Sequence, residues 1–179
     1  MHVGDLLAET TRPRTVLNMT TFWTTTHASS QTDDWATPQT YFDSIKDQYN
    51  FVLDACASAA NTKASAYYGL DHTDPTRRDG LLCPWAQDAA GGDVWMNPPY
   101  GRTIGEWMHK AAAESDKGVT VVCLVPARTD TAWFQDTALS RQAAGRATIT
   151  FIRGRLKFGG QKNAAPFPNA LVVFHPVKP

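Results

Sequence analysis

The sequence predicts an α/β protein built on one sheet, parallel in its main part and finished by a C-terminal antiparallel hairpin. Three observations lead there. Short apolar runs alternate with helical patterns through the first part of the chain, strand-like runs cluster in the last part, and no internal repeat is visible. A length of 179 residues with 42% hydrophobic content suits one core and leaves room for one main domain.

The elements follow in order. Residues 1–32 are rich in Thr and Ser, lack hydrophobic periodicity, and read as a flexible N-terminal arm ahead of a single domain over 33–179. Thr37 is a good N-cap with Pro38 at the first helical position, and Tyr41, Phe42, Ile45 and Tyr49 recur at helical spacing, predicting a helix over 38–49. Phe51–Asp54 is a short apolar run ending in an acid, a buried strand. A helical piece is expected over 61–68, and 71–80 is turn-rich. Asp93–Met96 is a second buried strand, stopped by the two prolines that follow. Ile104–Ser115 reads as a helix, 119–125 as the clearest strand and 131–140 as a helix. The stretches 147–153 and 169–175 read as late strands, with 155–158 between them in a hairpin and a Gly- and Pro-marked loop over 159–168.

Composition excludes some classes. No run of about 18 apolar residues exists, and the N-terminus has no apolar signal-peptide core, so a cytoplasmic protein with no membrane partner is expected. Cys56, Cys83 and Cys123 are odd in number and widely spaced, which reads as buried thiols in a reducing compartment. His2, His27, His72, His109 and His175 lack paired metal spacing, so no metal is expected. The formal net charge of zero hides an asymmetry. Residues 137–179 hold Arg141, Arg146, Arg153, Arg155, Lys157, Lys162 and Lys178 and no acid, giving +7, while residues 1–136 hold the other 10 basic residues and all 17 acidic ones, giving −7. Such a basic quarter marks a face for polyanions or a solvated basic surface.

The segment that carries chemistry is Asn97-Pro98-Pro99-Tyr100, directly after the Asp93–Met96 strand. The exocyclic nitrogen of a nucleobase is a weak nucleophile because its lone pair is delocalised into the ring. Accepting both of its N–H hydrogens pulls the nitrogen toward tetrahedral geometry and frees the lone pair. Asn97 offers a side-chain acceptor and Pro98 a main-chain one. The prolines, Pro98 and Pro99, hold the backbone in one extended shape so that the carbonyl stays aimed. Tyr100 offers a flat ring on which a flipped base can stack. The strand before the motif places it at a carboxyl end, where open α/β sheets bind ligands. The plainer reading of the same four residues is a tight turn after a strand.

With its neighbours, the motif resembles that of the phage-type, Dam-like DNA N6-adenine methyltransferases. The matching pieces are Asp34-Trp35-Ala36-Thr37-Pro38, Leu53-Asp54-Ala55-Cys56-Ala57, Asn61-Thr62-Lys63 and Asp79-Gly80-Leu81, then the Asn-Pro-Pro-Tyr segment. Leu124-Val125-Pro126-Ala127-Arg128-Thr129-Asp130 and Gly154-Arg155-Leu156-Lys157-Phe158 complete a resemblance that runs in order over roughly 33–175. It implies an abbreviated Rossmann-like class I methyltransferase sheet, S-adenosyl-L-methionine as cofactor, and double-stranded DNA as substrate, with base flipping. It also implies a cofactor pocket lined by Trp35, Thr37, Pro38, Asp54, Ala55, Cys56, Asp79 and Asn97, with Asp54 facing the ammonium group of the cofactor and Asp79 its adenine amino group. Each has a plainer reading: Asp54 as a helix cap, Trp35 as a packed ring at a helix start, Asp79 as a turn residue before Gly80. The chain departs from the common pattern in having Ala55-Cys56-Ala57-Ser58-Ala59-Ala60 where many methyltransferases have glycines, and no ribose-binding acid stands out. Only about 40 residues separate Asp54 from Asn97, so the elements between are abbreviated.

For DNA contact the candidates are Arg102, Arg128, Arg153, Arg155 and Lys157. The last three share a parity and would line one face of a strand, although hairpin edges show the same alternation. Asp130 reads as the cap of the next helix. No separate recognition domain fits between the motifs, so specificity falls to short loops at 102–104, 129–147 or 159–168. The rival functions are methylation of cytosine N4, RNA adenine or a protein glutamine by the same motif, and a non-catalytic nucleic-acid-binding protein on the same fold. By resemblance, a phage enzyme of this kind without a paired nuclease serves in restriction evasion.

Overall fold

A computed structural model describes residues 35–159 and 161–177; the N-terminal arm expected over 1–32 lies outside the described residues. Six strands, β1 (Phe51–Asp54), β2 (Ala66–Tyr67), β3 (Asp93–Met96), β4 (Val121–Pro126), β5 (Ala147–Phe151) and β6 (Asn169–Phe174), form one sheet in the order β2-β1-β3-β4-β6-β5. The pairings β1–β2, β1–β3 and β3–β4 are parallel. β6 runs antiparallel to both of its neighbours, β4 and β5. The architecture is mixed α/β, as the alternation of patterns predicts.

Sequence explains which strands are central. Every residue of β4 and β6 is buried, as expected of continuous β-branched and aliphatic runs that have neighbours on both edges. β3 packs Val94, Trp95 and Met96 into the core and leaves Asp93 half-buried at its start, where the carboxylate accepts the Asn50 N–H at 2.8 Å. After the short α2 (Trp85–Asp88), the long helix α3 (Ile104–Ser115) buries Ile104, Trp107, Met108, Ala111, Ala112 and Ser115, a stripe at helical spacing. Gly118 (φ 101°) turns the chain out of it toward β4.

Several expectations need correcting. The helix expected over 38–49 is α1 (Gln39–Ile45) continued by a 3-10 turn, Lys46–Gln48. Its first-turn acceptor is the Pro38 carbonyl, bonded by Tyr41 and Phe42 N–H at 3.1 Å each, and no side chain caps it, so Thr37 is not its cap. No helix forms over 61–68. Asn61 Oδ1 accepts the Ser58 N–H at 2.7 Å and Thr62 Oγ1 bonds to Ala64, local side-chain bonds that compete with helix formation, and Ala66–Tyr67 instead pairs with β1. The helix expected over 131–140 contains a π-helical segment, Phe134–Leu139, running into a short α-helix, α4 (Ser140–Ala143). Thr131, not Asp130, starts it: its carbonyl accepts Phe134 and Gln135 N–H and its hydroxyl donates to the Arg128 carbonyl at 2.7 Å. Residues 155–158 are not a strand. β5 stops at Phe151, the ladder ends with Ile152 N–H to the Asn169 carbonyl, and Gly154 (φ 80°) redirects the chain. Of the three thiols, Cys83 and Cys123 are buried and Cys56 is half-buried. Among the described residues, no helix is long and apolar enough to cross a membrane.

One polar contact in the core has a measurable consequence. Glu114 is 0% exposed and accepts from Lys110 Nζ (2.6 Å), Lys117 Nζ (2.8 Å) and the Ala86 N–H (2.9 Å). Burial acts to raise its pKa, but these three donors outweigh it and hold the carboxyl below the usual glutamate range. Glu114→Ala strands a buried N–H and two ammonium groups, and urea unfolding should show a loss of about 3 kcal/mol, at the low end for a buried pair because both lysines can turn to water. A group with a lowered folded pKa stabilises above its unfolded pKa, so the difference between the two proteins should shrink as pH falls below about 4.

Candidate active site

The parallel strands β1, β3 and β4 stand side by side, so their carboxyl ends share one edge of the sheet. Asp54 closes β1, Asn97 follows β3, and Arg128 lies just beyond β4. Three of the sequence-predicted positions are thereby brought to one edge by topology alone.

Asn97 is half-buried. Its Nδ2 donates to the main-chain carbonyl of Trp35 at 2.5 Å and to Thr37 Oγ1 at 3.0 Å. Its Oδ1 is buried and has no hydrogen-bond partner among the described residues. Leaving a buried acceptor unbonded costs on the order of 1–3 kcal/mol, so the atom is primed for a donor. Pro98 is buried and Pro99 half-buried, and the chain then turns so that the Tyr100 hydroxyl donates to the Leu124 carbonyl at 3.2 Å. Tyr100 is 8% exposed, and burial pushes its hydroxyl pKa well up.

The ring of Tyr100 belongs to an aromatic cluster. Trp35 lies nearly parallel to it (centroids 6.4 Å apart, 20° between planes), and Phe158 and Phe167 meet both rings edge-on at 5.3–5.8 Å. Phe167 was not visible as a site residue in the sequence, and Phe158 stood there only as the end of a basic strand. The one available signal is that two aromatic residues flank a Gly- and Pro-rich loop that otherwise has no apolar side chain larger than alanine. The Gly159 N–H bonds the Ala36 carbonyl at 2.9 Å, tying that loop to the Trp35–Thr37 stretch. Thr37 is 6% exposed and Pro38 half-buried.

Asp54 is 2% exposed. It caps no helix: its two oxygens accept the Cys56 N–H (3.3 Å) and the Lys63 N–H (2.9 Å), closing the 55–63 loop. Burial raises its pKa to about 7, against the pull of those two N–H groups and of Lys63. No ion pair to Asp54 occurs among the described residues, and a carboxylate has lone pairs beyond the two in use, so the group is chemically suited to a small cation such as an ammonium. Beside it the backbone runs close. Ala55 is fully buried and bonds the Trp95 carbonyl, and a Cβ on Gly80 would come within 2.2 Å of the Ala55 carbonyl oxygen. Glycine is therefore required at 80, where the sequence offers Asp79-Gly80. The Asp79 carboxylate accepts the Leu81 N–H at 3.0 Å, a turn contact, and is half-buried. Asp71, past the end of β2, went unremarked in the sequence because a two-residue strand leaves no pattern. Its carboxylate accepts the Ala59 N–H at 2.8 Å, across the same loop.

All five candidate cations, Arg102, Arg128, Arg153, Arg155 and Lys157, are exposed. With 153–157 outside any strand, the parity argument fails, yet Arg153, Arg155 and Lys157 come together on one shallow groove of about 530 Å³. Its other wall is the start of α1, with Thr40, Tyr41 and Ser44, and it begins at Pro38, the neighbour of Thr37.

Comparison with known proteins gives the family of the chain. The family model described as DNA N-6-adenine-methyltransferase (Dam) matches residues 24–177. A DNA N-6-adenine-methyltransferase of Haemophilus phage HP1 (strain HP1c1) is 28% identical over 155 residues, covering 84% of this chain and 83% of the relative. A DNA N-6-adenine-methyltransferase of Escherichia phage T1 is 30% identical over 125 residues, 69% of this chain and 46% of the relative's own length. The orphaned acceptor at Asn97 and the buried acid at Asp54 thus sit in a chain that belongs to the DNA N-6-adenine-methyltransferase (Dam) family.

Proposed function

We propose that the protein transfers a methyl group from S-adenosyl-L-methionine to the N6 nitrogen of adenine in double-stranded DNA, acting on a base turned out of the helix. The observation that carries this reading is the buried, unpartnered Oδ1 of Asn97, an acceptor placed at the carboxyl end of a parallel strand. The sheet order, with one antiparallel strand between β4 and β5, supports an abbreviated Rossmann-like class I methyltransferase fold with a C-terminal antiparallel pair.

Asn97 Oδ1 accepts one N6–H of the target and the Pro98 carbonyl the other, which localises the lone pair on nitrogen. When bound, the cofactor supplies an electrophilic sulfonium methyl. Because that methyl group would arrive already activated, no strong base is required of the chain, and the surplus N6 proton can leave to water. The Tyr100 ring, buried among Trp35, Phe158 and Phe167 and not open for a base to stack on it, holds the turn that carries Asn97, with Pro99 keeping that turn rigid. Asp54 would pair with the ammonium group of the cofactor, Asp71 would suit its ribose hydroxyls and Asp79 its adenine edge. The close backbone at Ala55 and Cys56, with Pro38 behind the Asn97 anchor, completes that side. Arg102 and Arg128 flank the site and Arg153, Arg155 and Lys157 take DNA phosphates along the groove.

The direct test is labelled methyl transfer to unmethylated DNA followed by nucleoside analysis. N6-methyladenine from the wild type and a rate at least 100-fold lower from Asn97→Ala is the expected result. Label in N4-methylcytosine, in RNA or in a protein amide moves the substrate, and absence of cofactor binding refutes the reading. Tyr100→Phe keeps the ring and gives up one buried hydrogen bond, so it should retain activity at a stability cost of about 1 kcal/mol, whereas Tyr100→Ala should abolish activity and cost about 3–5 kcal/mol in thermal or urea unfolding. Because protons compete with the cofactor for an Asp54 carboxyl raised to about 7, cofactor affinity measured by calorimetry should rise as pH goes from about 5.5 to about 7.5. Asp54→Asn should bind weakly, with no such slope.

A further inference from the structure

The two ends of an asparagine amide are nearly the same size, and chemistry alone decides which faces which way. A peptide carbonyl can only accept, so the end of Asn97 lying 2.5 Å from the Trp35 carbonyl must be the nitrogen. The oxygen is thereby turned to the opposite side, where it is buried and unpartnered among the described residues. The second anchor is Thr37 Oγ1, 3.0 Å from the same nitrogen. Thr37 stands where a helix cap is expected, yet the cap position of α1 is Pro38 and no side chain caps it. Its hydroxyl is engaged by Asn97, not by the helix it precedes. The stretch carrying both acceptors is itself held: the Ala36 carbonyl takes the Gly159 N–H, and the Trp35 ring packs against Tyr100, Phe158 and Phe167.

We propose that Thr37 is a positioning residue for methyl transfer, which together with the Trp35 carbonyl fixes the Asn97 amide with its oxygen toward the target amine. This rests on the functional reading above. It also sets a requirement at position 97. Aspartate could present the same acceptor oxygen to an amine, but its other oxygen would face the Trp35 carbonyl lone pair to lone pair. Only the protonated acid, donating to Trp35, reproduces the bond, so in this chain asparagine and aspartate are not equivalent.

The test has a structural arm and a kinetic arm. In ¹⁵N–¹H spectra the Asn97 side-chain amide pair is identified by its loss in Asn97→Ala. In Thr37→Val that pair should shift upfield and exchange faster with water, whether or not the protein methylates anything. In single-turnover assays at saturating cofactor and DNA, Thr37→Val should lose roughly 100-fold in rate, with little change in the KM for DNA. Thr37→Ser, which restores the hydroxyl, should recover most of the rate, and circular dichroism of both variants controls for folding. Asn97→Asp should give a rate that climbs as pH falls, because only its protonated form fits. Unchanged amide resonances or a wild-type rate in Thr37→Val, or a pH-independent, near-wild-type rate in Asn97→Asp, overturns the proposal. Failure of the functional reading looks different: the wild type transfers no methyl group, yet the resonances shift as expected.

Discussion

The hydrogen bonds from Asn97 Nδ2 to the Trp35 carbonyl and the Thr37 hydroxyl are the constraint on which the rest of the site turns. They occupy the donor end of the amide and leave the acceptor end buried without a partner. A polar group kept dry and unbonded opposes folding, and the surrounding packing has to hold it. The two prolines remove slack from the backbone after Asn97, and Tyr100 is wedged among Trp35, Phe158 and Phe167. The Leu124 carbonyl then pins the phenol from the neighbouring strand. Each of these contacts limits a motion that would let the amide oxygen find another donor. The mismatch is therefore preserved in the fold; on the proposed reading a substrate N–H would resolve it, the kind of differential interaction that catalysis uses.

Electrostatics divides the site into two sides. Asp54 is a carboxyl made reluctant to ionise by burial and softened by two backbone N–H groups, an environment that rewards an incoming cation. The exposed arginines and the lysine of 153–157 lie on the groove bordered by α1. The charge asymmetry of the sequence reflects this arrangement only in part. Of the seven basic residues after position 136, Arg141 and Arg146 are both engaged by Asp116, so their charge goes into joining the end of α3 to the chain around α4. Composition alone could not separate these structural cations from those left exposed.

What was legible in the sequence was local. β1, β3 and α3 fall where their patterns place them, because an apolar run stopped by Asp54, another stopped by Pro98, and a stripe of buried residues at helical spacing are each set by neighbours in sequence. The stretch over 61–68 misled because Asn61 and Thr62 bond their own backbone. At 155–158 the alternation of basic and apolar residues imitates a strand, and the turn at Gly154 that prevents one is a property of the backbone. At the site, the residue types at 97–100 suggest amine chemistry, but the partners of Asn97 lie 60 and 62 positions away and those of Tyr100 are Trp35, Leu124, Phe158 and Phe167, all distant in sequence. Nothing near Thr37 in sequence points to Asn97, so the sequence alone offers it only as a helix cap or a cofactor residue.

The bond between Gly159 and Ala36 has a consequence for how the protein comes into being. The stretch that anchors the amide is synthesised before the asparagine, and the loop bearing Phe158 and Phe167 well after both. A nascent chain still attached to the ribosome can hold the reactive asparagine without the late half of its enclosure. A chain that stops before that loop therefore lacks the rings that pack Tyr100 in place.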